Sequence, residues 1–210
     1  AGSIAAPPAM PSPAATPLLE DKVCRSPVSG IVVKVVLHND RRTIEYRRRG
    51  ARHNPGDGVA AYTSFRSDGA ILCAGFYFDG LIRDPDAFTP GWTTFHSDGT
   101  PQRVERWRCG QLCDTADGTP SMQQFYPDGS LHAVTHRRRG LITDPATGLP
   151  AVQRFWPNGL PQLLVHFTNN RRNDPADGTP AHRAYSSDGT LITTASFRSG
   201  LDQHDLPQHR

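Results

Sequence analysis

The stretch Phe125-Tyr-Pro-Asp-Gly129 decides the fold, because the chain repeats it. An aromatic residue, two variable residues, Asp or Asn, and Gly recur at 65–69, 95–99, 125–129, 155–159 and 185–189. The aromatics are Phe65, Phe95, Phe125, Phe155 and Tyr185, a constant spacing of 30 residues. A fixed period between about 20 and 50 residues marks a repeat array, in which each unit touches only its neighbours.

Other columns keep the same spacing. Gly stands at 50, 80, 110, 140 and 200, with Asn170 in the fifth place. Four residues further on come Asn54, Asp84, Asp114, Asp144 and Asp174, and Pro follows at 55, 85, 145 and 175. Within residues 121–150, Ser121 to Tyr126 reads as a strand turned by Pro127-Asp-Gly129, since Gly reaches positive φ at no steric cost. Leu131 to about Arg138 reads as the returning strand, and Leu141 to Pro150 as the connection. No stretch sustains an apolar period of 3.6, and Pro interrupts every candidate helix. The expected fold is all-β: an elongated single-sheet array of consecutive antiparallel β-hairpin repeats with a 30-residue period, in about eleven short strands.

Composition agrees with many turns and little deep core. Apolar residues make up 36% of the 210-residue chain, with 19 Gly and 19 Pro. Residues 1–28, rich in Ala, Pro and Ser, read as a disordered leader. Residues 29–203 form the array of about five and a half units, and 204–210 a tail. Ile31 to Leu37 is dense in β-branched residues and carries only Lys34 as a charge, so it reads as an edge strand. An uncovered edge of this kind invites a second copy, giving a dimer, unless the leader folds over it.

The Tyr/Phe-x-x-Asp/Asn-Gly motif, followed after about ten residues by another Gly, resembles the bacterial variant of the membrane occupation and recognition nexus (MORN) repeats. It is also similar to the YwqK-type antitoxin family, over about residues 31–203. The unit is longer than that family's typical one, and the extra length lies in the Asp-Pro-x-x-Gly-x-Pro connection. The resemblance implies a scaffold or binding role, including that of an antitoxin or immunity protein that occludes a partner.

Strand alternation divides the candidate residues between two faces. Positions 61, 63 and 65 share one face, where a small residue stands beside the recurring aromatic, and these read as packing. Positions 62, 64 and 66 share the other, with Tyr62 and Arg66, Trp92 and His96, Met122 and Tyr126, and Val152 and Trp156. Large side chains that differ from unit to unit suit either local packing or a surface that reads a partner, for which aromatics and Arg are the usual anchors. Partner-binding candidates are therefore Tyr62, Arg66, Trp92, His96, Tyr126 and Trp156, and a protein is the expected partner.

A second reading uses Arg47-Arg-Arg49, Arg137-Arg-Arg139 and Arg171-Arg172 as a basic stripe for acidic lipid or nucleic acid. A net charge of +3 and 20 Asp and Glu weigh against nucleic acid and leave peripheral membrane contact open. No Gly-x-Ser-x-Gly, P-loop or His-Glu-x-x-His sequence occurs, so no familiar enzyme class is indicated. No catalytic residue, metal or cofactor is expected, and an enzyme with an unrecognised site is a third reading. Cys24, Cys73, Cys109 and Cys113 lack a paired C-x2-C pattern and read as free thiols, with a local Cys109–Cys113 bond as the alternative.

Overall fold

A computed structural model describes residues 23–25, 30–38, 41–198 and 200–202, and all elements among them are β-strands. One antiparallel sheet runs through Val23–Arg25, Ile31–His38, Arg41–Arg48, Tyr62–Phe65, Ile71–Gly75, Trp92–Phe95, Pro101–Glu105, Met122–Phe125, Leu131–Thr135, Val152–Phe155, Pro161–Val165, His182–Tyr185 and Leu191–Ala195. Each strand lies beside the one before it, so the sheet grows by successive hairpins. At about 4.8 Å per strand it extends for roughly 58 Å.

The repeated motif builds its hairpins through a fixed set of bonds. In Phe125-Tyr-Pro-Asp-Gly129 the Tyr126 amide donates to Ser130 O (2.9 Å) and the Gly129 amide to Tyr126 O (2.9 Å). Gly129 takes the left-handed φ of 81° that this three-residue loop requires. The Asp128 carboxylate accepts from the Ser130 amide at 2.9 Å and so closes the turn. Directly after each loop the returning strand carries a bulge, seen as the register shift between Gln124↔Ala133 and Phe125↔Leu131 that leaves His132 without a partner.

The returning strand is shorter than its sequence suggests. It ends at Thr135, and Arg137–Arg138 pairs instead with Leu141–Ile142 as a separate two-stranded ribbon. The cause is non-local: Asp114, in the preceding connection, takes the Arg137 amide onto its carboxylate at 2.8 Å. The same bond draws the chain out of the main ladder in other units, with Asp84 on Trp107, Asp144 on Phe167 and Asp174 on Phe197. Five ribbons result among the described residues and accompany the long hairpin sheet expected from the sequence. Backbone bonds join successive ribbons, such as Gly110 N to Ile82 O (3.0 Å) and Gly140 N to Leu112 O (3.0 Å). Four of the ribbons turn on two left-handed residues, for example Arg139 at φ 50° and Gly140 at φ 80°.

Two further expectations change at the start of the sheet. Val23–Arg25, inside the span read as a disordered leader, pairs antiparallel with Val32–Lys34. Ile31–His38 is therefore second in the sheet, not the outermost strand, because an open strand edge offers backbone partners to any chain that reaches it. Residues 1–22, 26–29 and the tail 204–210 lie outside the described residues.

The small residue before each hairpin is packed as read: Ala61, Ser121, Ala151 and Ala181 are fully buried. Phe65 and Phe95 are buried, whereas Phe125, Phe155 and Tyr185 are half-buried. Phe95 joins Ala60, Ala74 and Phe76 in an apolar cluster, with Ile71 against it.

Candidate functional site

Four side chains of different chemistry make the same bond. Arg66 donates to Phe95 O, His96 Nε2 to Phe125 O at 3.0 Å, the Tyr126 hydroxyl to Phe155 O at 2.8 Å, and Trp156 Nε1 to Tyr185 O at 3.1 Å. Each reaches 29 residues ahead, to the carbonyl of the next unit's aromatic. Because a carbonyl can only accept, His96 carries its proton on Nε2. What the column needs is a donor of sufficient reach, which is why its residues look unrelated in sequence.

Tyr62 and Trp92 occupy a neighbouring row. Register places Glu45, Tyr62, Gly75, Trp92 and Glu105 side by side across the sheet. The Tyr62 and Trp92 rings stack with centroids 5.6 Å apart, across the strand that carries Gly75. Only Gly fits there, since a Cβ on residue 75 would meet Trp92 Cε3 at 2.4 Å. The Arg52 guanidinium lies over Tyr62 at 4.5 Å and over Tyr77 at 5.3 Å, so this end of the row is covered by a ribbon. Glu45 is buried yet bonded to Arg47 and Arg52, and these partners hold its carboxyl below the usual range although burial alone would raise it. Glu105 accepts from Arg103 and from Trp107 Nε1 (2.9 Å).

The six sequence candidates are thus half-buried and split between two rows: Arg66, His96, Tyr126 and Trp156 in one, Tyr62 and Trp92 in the other. Between the third and fourth hairpins the first row borders an open cleft of about 530 Å³. Thr94, His96, Gln102, Arg103, Gln124, Tyr126 and His132 line it. His132, aimed by the bulge, packs on Tyr126 with ring centroids 4.5 Å apart. Gln102 is exposed at the corresponding bulge one unit earlier. Sequence reading missed Gln102, Arg103, Gln124 and His132. Strict alternation takes 132 off the face of 126, and only the bulge restores it; no local signal marks the bulge.

The arginine triplets are partly consumed by the fold. Arg47 pairs with Glu45 at 2.6 Å and Arg48 with Asp79 at 3.0 Å, while Arg138 and Arg139 are exposed. Arg137 is half-buried, and burial beside Arg103 pushes its pKa down. The Asp column holds the units together. Asp144 Oδ1 accepts the amides of Ala151 (2.8 Å) and Phe167 (2.9 Å), and its Oδ2 lies 2.7 Å from His166 Nδ1. Asp114 does the same for Ser121, Arg137 and His136. Burial raises the pKa of Asp84 despite its two amide donors. Cys73, Cys109 and Cys113 are free thiols, and burial pushes the Cys73 thiol up. No group of three or more His, Cys, Asp or Glu side chains suited to a metal occurs among the described residues.

Neither a family model nor a curated protein matches the chain.

Proposed function

We propose that the protein is a non-enzymatic interaction module that binds a partner protein through the face bearing the cleft. One observation carries this reading: on a backbone that repeats its hydrogen bonds unit by unit, the cleft-side residues differ in every unit. Arg66, His96, Tyr126 and Trp156 make equivalent bonds with different side chains, each half-buried and held in place. Anchors fixed before binding lose little rotamer freedom on association, and aromatic and Arg side chains are the usual hot spots of protein interfaces. An antitoxin or immunity role, in which the array occludes its partner, rests on the MORN and YwqK-type resemblance of the repeat.

The membrane or nucleic-acid reading is weaker on the ribbon side, where Arg47 and Arg48 already carry carboxylate partners. A photo-crosslinking amino acid at the exposed position Gln102, compared with one at exposed Arg138 on a ribbon, separates the two readings. In cells of the native source, position 102 should give one discrete protein adduct that position 138 lacks. Adducts from 138 alone, or lipid or nucleic-acid adducts in place of protein, would overturn the proposal.

A further inference from the structure

One connection departs from the others. The column Gly58, Gly118, Gly148 and Gly178 has Phe88 in its second place. The four glycines take left-handed φ between 72° and 90°, a region costly for a residue with a Cβ, and Phe88 does not follow them. Asp86 closes its loop instead: Oδ1 accepts the Phe88 and Thr89 amides, both at 2.7 Å, and Oδ2 the Thr89 hydroxyl at 2.9 Å. From beneath, Arg106 Nη2 donates to Phe88 O at 2.8 Å. The Phe88 ring is 76% exposed, more than any other large apolar side chain among the described residues. A lone surface Phe is ordinary, but one fixed through both its amide and its carbonyl is a preformed anchor.

A matching recess adjoins it. Between this connection and the next lies an open groove of about 550 Å³, lined by Ala87 on one bank and by Trp107, Arg108 and Cys109 of the ribbon. The corresponding groove one unit later, beside Gly118, holds about 260 Å³. The acids of the larger groove are engaged, Asp84 and Asp114 by backbone amides and Asp117 by Thr115 and Thr119. Exposed Arg108 and exposed Asp86 form no ion pair with any described residue. The loop thus presents a phenyl ring with a carboxylate, and the groove an indole with a guanidinium. We propose that two copies of this chain associate here, Phe88 of each seated in the groove of the other and Asp86 facing the other's Arg108. This surface does not rest on the partner-binding reading of the cleft. Because loop and groove share Ala87, a twofold axis beside that residue makes both contacts at once, the isologous arrangement of symmetric dimers. Self-complementarity selects a second copy as the occupant: one surface supplies both the aromatic pair and the charge-assisted pair. Two rings and two charge pairs set a dissociation constant on the order of 10 μM.

Sedimentation velocity of the full chain from about 1 to about 500 μM tests this, with the mass climbing from monomer toward dimer. Phe88→Ala, at an exposed position where the Asp86 turn is kept, should raise the dissociation constant about thirtyfold or more. Arg108→Glu should raise it about tenfold, and Arg138→Glu, on the ribbon of the next unit, should leave it unchanged. Alkylation of Cys109, followed by peptide mass spectrometry, should slow as the concentration of the native chain rises, and should not slow in Phe88→Ala. A monomer throughout overturns the proposal, as does a dimer that Phe88→Ala leaves intact, which would place self-association elsewhere, such as at a strand edge. Loss of the dimer in Phe88→Ala, with Cys109 alkylation independent of concentration in the native chain, overturns the groove as the seat of the ring. No effect of Arg108→Glu overturns the contact with Asp86. A monomeric chain whose crosslinked partner at position 102 is lost on Phe88→Ala would give the ring to that partner in place of a second copy, and leave the protein-binding reading intact.

Discussion

Tyr126 is tied to the array by one oxygen. Its hydroxyl donates to Phe155 O, while its ring packs on His132 at the mouth of the cleft. Removing the hydroxyl keeps the ring, so Tyr126→Phe should cost about 0.5 to 1.5 kcal/mol, the net worth of one intramolecular hydrogen bond. Urea unfolding reads that change directly, and an unaltered midpoint would mean that the bond adds nothing to stability. The same geometry sets what a large truncation in this column does. Trp156→Ala loses a backbone clip along with any partner contact, so binding and stability fall together. Legibility differed sharply from residue to residue here. Tyr62, Trp92, Tyr126 and Trp156 stand out in the sequence by size and spacing, but their second role, bonding a carbonyl 29 residues away or stacking across Gly75, depends on contacts that no local pattern contains.

At the scale of the element, the hairpin and the ribbon were not equally readable. The hairpin is local: Gly129 and Asp128 meet the needs of their own loop, so five residues suffice to specify it. The ribbon depends on Asp114, which lies 23 residues before the Arg137 amide that it captures. Without that bond, Leu131 to Arg138 looks like one unbroken strand. Asp144 repeats the device one unit later, with two backbone donors and His166 on one carboxylate. Asp144→Ala orphans two amides and a buried imidazole, and should destabilise the array by about 3 kcal/mol or more, since each unsatisfied buried polar group costs about 1 to 3 kcal/mol. Hydrogen exchange should show the loss concentrated at Ala151 and Phe167. Uniform loosening across all units would contradict the assignment of Asp144 as a clip between neighbours.

Across the whole molecule, identical backbone bonds create a regular frame and non-identical side chains occupy one face of it. Regularity explains why the all-β hairpin order could be read from sequence, since each unit restates the same turn chemistry. The start of the sheet could not be read in that way. Val23–Arg25 belongs to no repeated column, and it joins because the strand beside it offers an open edge. The face proposed to bind a partner was read only in part, because rows such as the one that sets Tyr62 beside Gly75 and Trp92 exist through cross-strand register. Hydroxyl-radical footprinting of the array, alone and bound to the protein captured at position 102, tests the role of this face most directly. Tyr126, His132 and Trp156 should be protected in the complex, while Phe78 and Trp107 on the ribbons should react as before. Protection confined to Phe78 and Trp107, with Tyr126, His132 and Trp156 unchanged, would place the interface on the ribbons and contradict the assignment of the cleft-bearing face.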